Sequence, residues 1–288
     1  MAVKVFTALV LLVAATSAGA ATPPTFACTD IGPKPVVATI VGTQGNDTLK
    51  GTTGRDVVAG LSGDDVIDGG GGNDLICGGD GNDRLAGGAG EDVLTGDAGD
   101  DSLDGGGQPA NGTDFAGYDA SPAPVKASLA TGAATGWGTD QLRGVEGMSG
   151  SPFGDALTGD GRDDVLLGQR GNDRLNGLGG SDLVSGTDGD DTMTGGHGAD
   201  LAFYENSPRS VRVDLARGVA TGWGRDRLRS FEDVVGSGRA DRLVGSRGAN
   251  YLWGLGGADF IDGRAGRDHA FGGPGRDRCV RSEVRSSC

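Results

Sequence analysis

The stretch "GGGGNDLICGGDGNDRLAGGAGEDVLTG" (Gly69–Gly96) decides the fold of this chain. Within it a glycine, an aspartate and one aliphatic residue return at fixed places every nine residues. Extending that frame outward gives seven unbroken nonads from Gly42, a second run of six from Gly150 and a third of five from Gly236. Across these 18 nonads the first position is always Gly, the sixth is Asp in 17 with Asn250 the exception, and the fourth is Gly in 15. The eighth is Leu, Ile, Val or Met in 15, with Ala202, Ala270 and Cys279 making up the rest. So strict a period marks a repeat architecture, in which no unit buries its apolar face alone and each stacks on its neighbours.

The totals point the same way. Of 288 residues 59 are Gly, only 5% are aromatic, and 40 acidic residues against 25 basic ones leave a net charge of −15. High negative charge with few large apolar residues would by itself indicate disorder; the period overrides that reading. The eighth position centres a three-residue strand, and the six residues before it form a turn whose first and fourth glycines open backbone conformations closed to other residues. Short strands alternating with like turns suit an all-β parallel solenoid, with rungs about 4.8 Å apart. One buried aliphatic side chain per nonad does not offset the cost of ordering nine backbones, and stacking crowds the sixth-position carboxylates. A hard divalent cation answers both difficulties. Carboxylates and turn carbonyls suit Ca2+, which takes about six to eight oxygens, and its binding energy then becomes folding energy.

"GGDGNDRLA" (Gly78–Ala86) and "GGAGEDVLT" (Gly87–Thr95) fit the pattern G-G-x-G-x-D-x-U-x, and on these residues the chain resembles the RTX, or haemolysin-type, calcium-binding repeat proteins. The resemblance spans Gly42–Val280 apart from two wider segments. It implies a right-handed parallel β-roll (a β-solenoid) with two nonads per coil and Ca2+ held between turns two nonads apart. Carried over position by position, it makes the sixth-position aspartates the metal ligands: Asp47, Asp56, Asp65, Asp74, Asp83, Asp92 and Asp101 in the first run, Asp155, Asp164, Asp173, Asp182, Asp191 and Asp200 in the second, and Asp241, Asp259, Asp268 and Asp277 in the third. Several ions, up to about a dozen, would fit such a spacing. Phe153, Arg162 and Arg239 stand where the fourth-position glycine belongs, which places the sites at those turns in doubt.

The rest of the chain divides around the runs. Lys4, the apolar stretch Val5–Ala15 and "TSAGA" (Thr16–Ala20) make residues 1–20 a secretory signal peptide and predict a secreted, extracellular protein. Residues 21–41 form an N-terminal capping segment, 42–117 the first run, 150–203 the second, 236–280 the third and 281–288 a C-terminal cap. Residues 118–149 and 204–235 match one another at 16 positions at an offset of 86, including "TGWG" at Thr135–Gly138 and Thr221–Gly224. "GTDQL" and "GRDRL", from Gly138 and Gly224, reproduce the second half of a nonad, so these segments are expected as wider rungs of the stack, each with a protruding loop. Four cysteines in an oxidising compartment predict two disulfides. Three connectivities are possible, and Cys28–Cys77 with Cys279–Cys288 is the expected one, fastening each end of the array.

Several chemistries are excluded by what the sequence lacks. Its two histidines, His197 and His269, belong to no H-E-x-x-H motif and are expected on turns or facing solvent. No G-x-S-x-G elbow occurs, and an acidic chain with no dominant basic face disfavours nucleic acid. Beyond the signal peptide no segment is long and apolar enough for a membrane helix. Glu146 and Glu232 are expected to form local ion pairs beside Arg143 and Arg229. The favoured expectation is a non-enzymatic calcium-binding β-roll with a structural or surface-interaction role, whose partners beyond calcium are cell-surface or extracellular polysaccharide or protein. The second is a polysaccharide-binding or polysaccharide-active protein using the wider rungs, where Trp137 and Trp223 offer indoles for sugar stacking. Calcium dependence is expected to weaken along the chain. Gly42–Gly107 holds 14 acidic and three basic residues, whereas Gly236–Cys288 holds six acidic and nine basic.

Overall fold

A computed structural model describes residues 38–107 and 112–288. The expected signal peptide, most of the expected capping segment and Cys28, with its expected bond to Cys77, lie outside the described residues. Among those described, every regular element is a strand. The chain forms two compact units, Met1–Pro152 and Phe153–Cys288, divided inside the nonad that opens the second run.

In the first unit successive strands alternate between two sheets. One holds Ile40–Val41, Val57–Ser62, Leu75–Asp80, Val93–Ala98, Phe115–Gly117 and Gly147–Ser149, in that spatial order. The other holds Thr48–Lys50, Val66–Asp68, Arg84–Ala89 and Ser102–Gly107, followed by Thr139–Arg143, Ala133–Thr135 and Lys126–Ser128. Within the run the pairing is parallel and each residue meets the one two nonads on: Val57 with Leu75, Leu75 with Val93, Val66 with Arg84, and Arg84 with Ser102. One coil is therefore two nonads. The second unit repeats the scheme. Val165–Leu167, Leu183–Ser185, Leu201–Phe203, Asp233–Val235, Tyr251–Trp253, His269–Phe271 and Val284–Ser286 line one sheet, and the other runs from Ala156–Thr158 to Arg278–Val280.

The eighth position does what its periodicity demands. Val58, Ile67, Ile76, Leu94, Leu157, Leu166, Val184, Met193, Leu243, Leu252 and Ile261 are wholly buried. They stack in two facing columns, so the core is one side chain deep on each sheet. Several strands are longer than the expected three residues. Val57–Ser62, Leu75–Asp80 and Val93–Ala98 run on through positions one to three of the next nonad, where Leu61 pairs with Gly79 and Gly79 with Asp97.

The wider rungs differ from expectation in one respect: the extra residues enter the sheet instead of protruding. Thr139–Arg143 pairs in parallel with Ser102–Gly107, antiparallel with Ala133–Thr135, and that strand antiparallel with Lys126–Ser128. Arg225–Arg229, Val219–Thr221 and Arg212–Asp214 repeat the excursion in the second unit. Backbone groups that a loop would leave to solvent are satisfied in the ladder instead. The chain closes with Val284–Ser286 against His269–Phe271 and with a Cys279–Cys288 disulfide whose Cα atoms are 5.6 Å apart.

Candidate metal centre

Every sixth-position aspartate expected as a ligand lies in one of the columns of carboxylates that follow the turns. Along a column each carboxylate occupies a place in the backbone ladder. Asp47 donates its N–H to Oδ1 of Asp65 (2.7 Å), Asp65 to Asp83 (2.8 Å) and Asp83 to Asp101 (2.9 Å). The alternate column runs from Asp56 to Asp74 (2.7 Å) and from Asp74 to Asp92 (2.8 Å). In the second unit Asp155 donates to Asp173 (2.8 Å), Asp173 to Asp191 (2.9 Å), Asp164 to Asp182 (2.9 Å), Asp182 to Asp200 (3.0 Å), Asp241 to Asp259 (2.8 Å) and Asp259 to Asp277 (2.9 Å). Asn250 keeps the donor role toward Asp268 (3.0 Å). One oxygen of each acceptor is thus committed, and the fate of the other depends on the turn.

Two turn classes occur, and the residue at position two separates them. In the first, position two has a positive φ, as at Leu61 (90°), Asp97 (70°), Gln169 (69°), Leu178 (74°) and Leu255 (69°). Here the second carboxylate oxygen is buried and accepts no hydrogen bond. This holds for Oδ2 of Asp65, Asp74, Asp83, Asp92, Asp101, Asp173, Asp182, Asp191, Asp200, Asp259, Asp268 and Asp277. In the second class position two is Thr, Ser or Asp without a positive φ, and it caps the sixth residue itself. Thr52 donates to Asp56 Oδ2 from its N–H (2.6 Å) and hydroxyl (2.8 Å), and Thr43 caps Asp47 in the same way. The Asp160 N–H donates to Asp164 Oδ2 (2.6 Å), the Ser237 N–H to Asp241 Oδ2, and the Ser246 N–H to Asn250 Oδ1 (2.7 Å). The capped nonads begin at Gly42 and Gly51, at Gly159, and at Gly236 and Gly245. With the nonad at Gly150, whose Asp155 has no stranded oxygen, they are the first two nonads of each run; Asp164 alone among them leaves an oxygen, Oδ1, buried without a hydrogen bond.

The electrostatics follow the burial. Desolvation, reinforced by neighbouring carboxylates and only partly opposed by the ladder hydrogen bond, raises Asp83 and Asp92 to about 6. The same balance takes Asp101, Asp182 and Asp191 to about 7 and Asp173 to about 8. By contrast the Thr52 N–H, and after it the Thr52 hydroxyl, holds Asp56 below the ordinary range. Asp241, capped by Ser237 yet buried, is still raised.

The wider rungs extend the columns with residues that the nonad frame does not name as ligands. Asp101 donates to Asp140 Oδ1 (3.1 Å) and Asp191 to Asp226 Oδ1 (3.2 Å). Their second oxygens accept from the buried hydroxyls of Tyr118 (3.0 Å) and Tyr204 (2.9 Å). Glu146 and Glu232, expected in local ion pairs, instead continue the alternate columns by accepting the N–H of Asp114 (3.2 Å) and Asp200 (3.0 Å). Asp97 was also missed. It lies at position two, both its oxygens are buried without a hydrogen bond, and burial raises it to about 7. Trp137 and Trp223 sit half-buried in the hairpin turns, and their carbonyls accept from Gly99 and Gly189. Both histidines lie on strands: His197 ends Thr192–His197 and is exposed, as expected, whereas His269 is half-buried and stacks on Tyr251 with ring centres 4.4 Å apart.

A stranded oxygen has company. A Cβ placed on Gly60 would collide with Oδ2 of Asp65 and with the carbonyl oxygen of Gly78, and one on Gly177 with Oδ2 of Asp182 and the carbonyl of Gly195. The first-position glycine is therefore required by two oxygens that approach the same point from successive coils. No group of three His, Cys, Asp or Glu side chains converges among the described residues, so a cation held here draws on backbone carbonyls as well as carboxylates.

Nonads wound two to a coil, with buried carboxylate columns lining their turns, define a parallel β-roll of calcium-binding repeats. The RTX calcium-binding nonapeptide repeat family matches residues 41–76, 78–108, 149–184, 177–204, 235–270 and 260–279, more than half of the chain, and the chain belongs to that family. A search of curated proteins finds no match to it.

Proposed function

We propose that the protein is a secreted, non-enzymatic β-roll that folds when Ca2+ binds, and that its role is structural or one of surface interaction. The observation that carries this reading is the set of buried carboxylate oxygens without a hydrogen bond. A buried charge with no partner costs several kcal/mol, and twelve of them recur at one register. Ca2+ supplies the missing positive charge and accepts oxygen ligands at about 2.3–2.6 Å.

The chain's own residues set up the site. The ladder N–H fixes Oδ1 and so aims Oδ2 at the turn, while the first-position glycine clears the space beside it. The positive φ at position two withdraws the local N–H that would otherwise cap the carboxylate. The sites are accordingly assigned to the twelve sixth-position aspartates whose Oδ2 is stranded, giving several ions. Asp47, Asp56 and Asp241 close their turns without metal and Asp155 strands no oxygen, so these take calcium more weakly; Asp164 is capped at Oδ2 yet leaves Oδ1 buried without a hydrogen bond, and burial raises it to about 7. Expected export through a signal peptide fits this scheme, because calcium is plentiful outside the cell and extracellular modules bind it at about 10⁻⁴–10⁻³ M.

Far-ultraviolet circular dichroism in chelator should report a largely unfolded chain that gains β signal on addition of Ca2+, while Mg2+, which prefers rigid octahedral sites, should act poorly. A roll fully formed in chelator at neutral pH would overturn the reading.

A further inference from the structure

The fold builds a basic face that the linear order of the sequence conceals. In the second unit six adjacent strands bring one cross-strand row together: Arg225 pairs with Thr221, Thr221 with Arg212, Arg212 with Arg242, Arg242 with Phe260, and Phe260 with Arg278. Arg225, Arg212, Arg242 and Arg278 are exposed on the outer surface of the sheet, with Asp226, Val213, Leu243 and Cys279 buried behind them. Arg227 and Arg229 stand beside the row, also exposed. None of these six arginines forms an ion pair among the described residues. The two carboxylates on this face are already engaged, Asp214 by Arg217 and Arg264, and Asp262 by Arg281.

The fold does not ask for Arg212, Arg225 and Arg227 in the wider rung. At the offset of 86 the first wider rung has Thr139, Gln141 and Lys126 where the second has Arg225, Arg227 and Arg212, and it makes the same strands in the same pairing. Six cations without ion pairs on one face of an acidic protein raise local positive potential, and only Arg242 and Arg278 gain a contact, over the Phe260 ring; such a face suits a surface that meets an anion.

We propose that this row binds a linear, carboxylate-bearing polysaccharide. A row of six strands is about 24 Å long at about 4.8 Å per strand, and its guanidinium forks match carboxylates in bidentate geometry. The margins limit what fits. Asp188 and Asp190 are exposed on the bordering turn, where Asp190 Oδ1 accepts the Arg225 N–H (2.9 Å), and repel a broad anionic surface such as a membrane, but not a narrow chain lying along the row. Single-stranded nucleic acid needs free aromatic faces for its bases. Here the one ring in the row, Phe260, is flanked by the guanidinium groups of Arg242 (4.4 Å) and Arg278 (5.8 Å).

The inference rests on the calcium reading, since the row exists only in the folded roll. The test therefore uses the full chain in saturating Ca2+, with circular dichroism recorded on every sample. Binding to polygalacturonate oligomers, neutral dextran and single-stranded DNA of matched length is measured for three proteins. These are the wild type, the row variant Arg212→Gln/Arg225→Gln/Arg242→Gln, and an equally charged control, Arg239→Gln/Arg247→Gln/Arg267→Gln, changed at exposed turn positions. Wild type and control should bind polygalacturonate alike and dextran not at all, while the row variant should bind about tenfold or more weakly with its Ca2+ midpoint unchanged. Equal binding by row and control variants would show that net charge or calcium bridging is responsible. Tighter binding to DNA than to polygalacturonate would reassign the face to nucleic acid. A chain that fails to gain β signal in Ca2+ would overturn the calcium reading, and with it the folded face.

Discussion

Asp97 shows how much one residue can reveal. It occupies a position-two conformation that glycine fills elsewhere, with φ at 70°, and it buries a carboxylate that accepts no hydrogen bond. Burial, then Asp101 and Asp80, raises it to about 7. Such a residue is a cost to the metal-free roll and an extra ligand for a cation. Asp97→Gly should act in opposite directions: more β signal in chelator at neutral pH, because strain of about 1 kcal/mol and a buried charge are removed, yet a higher Ca2+ midpoint. Circular dichroism with and without chelator measures both, and a shift of the same sign in the two states would count against Asp97 as a ligand. The identity of position two does not by itself announce its conformation. Thr43 caps its turn with a hydroxyl and N–H aimed at Asp47, whereas Thr187 has a positive φ of 67° and turns its hydroxyl to the Gln169 carbonyl. The nonad made the sixth and eighth positions legible, since a fixed period fixes their side. Position two was not legible, because its backbone is set by the coil before it.

At the scale of the turn, that inheritance has a physical route. Leu61, Gly79 and Asp97 are ladder partners in successive coils, as are Leu178 and Gly196. Once one coil adopts the positive φ, its extended first three positions template the next. The opening two nonads of a run adopt the other turn and leave no sixth-position Oδ2 stranded. Calcium dependence should therefore divide by turn class. Asp74→Ala removes a stranded oxygen and should raise the Ca2+ midpoint severalfold. Asp56→Ala removes a capped carboxylate and should leave that midpoint nearly unchanged while lowering the urea midpoint of the calcium-loaded protein. Calcium titrations and urea melts of the two variants separate these outcomes, and matching shifts in the Ca2+ midpoint would dissolve the distinction between classes. The three replaced fourth-position glycines gave a partial view of it from sequence. Phe153, Arg162 and Arg239 all fall in nonads without a stranded Oδ2, where the turn needs no left-handed backbone at that position.

At the scale of the molecule, charge and protons govern when the roll forms. The folded carboxylates that titrate between about 6 and 8 lie near 3.9 in an unfolded chain. Over that window the folded state holds more protons than the unfolded one, so its stability falls as pH rises and returns on acidification. In chelator the β signal should be greater at pH 5 than at pH 8, while the Ca2+ needed for folding should rise at pH 5, because protons and calcium compete for the same oxygens. A metal-free chain more folded at pH 8 would contradict this sign. The units also differ in charge: residues 38–152 hold 18 acidic and five basic residues, and residues 153–288 hold 21 and 18. Asp74→Ala should accordingly shift the Ca2+ midpoint further than Asp259→Ala, whose surroundings are richer in arginine. That charge difference is read directly from composition. Composition did not foretell the arginine row, because Arg225, Arg212, Arg242 and Arg278 meet only after the hairpin excursion reverses the order of the strands.

The pairing of each residue with the one 18 positions on gives the array a parity. Every nonad is nearly interchangeable as a folding unit, but an odd count and an even count deliver whatever follows to opposite sides. Deleting Gly168–Ser185 from the second unit would remove one whole turn of the screw and leave later strands on the sheet they already occupy. Deleting Gly177–Ser185 alone would remove a single turn, that of Asp182, and carry the whole arginine row to the other side of the unit, away from Arg174. Gains and losses of single repeats would thus alter one calcium turn each and decide which flank meets the outside world.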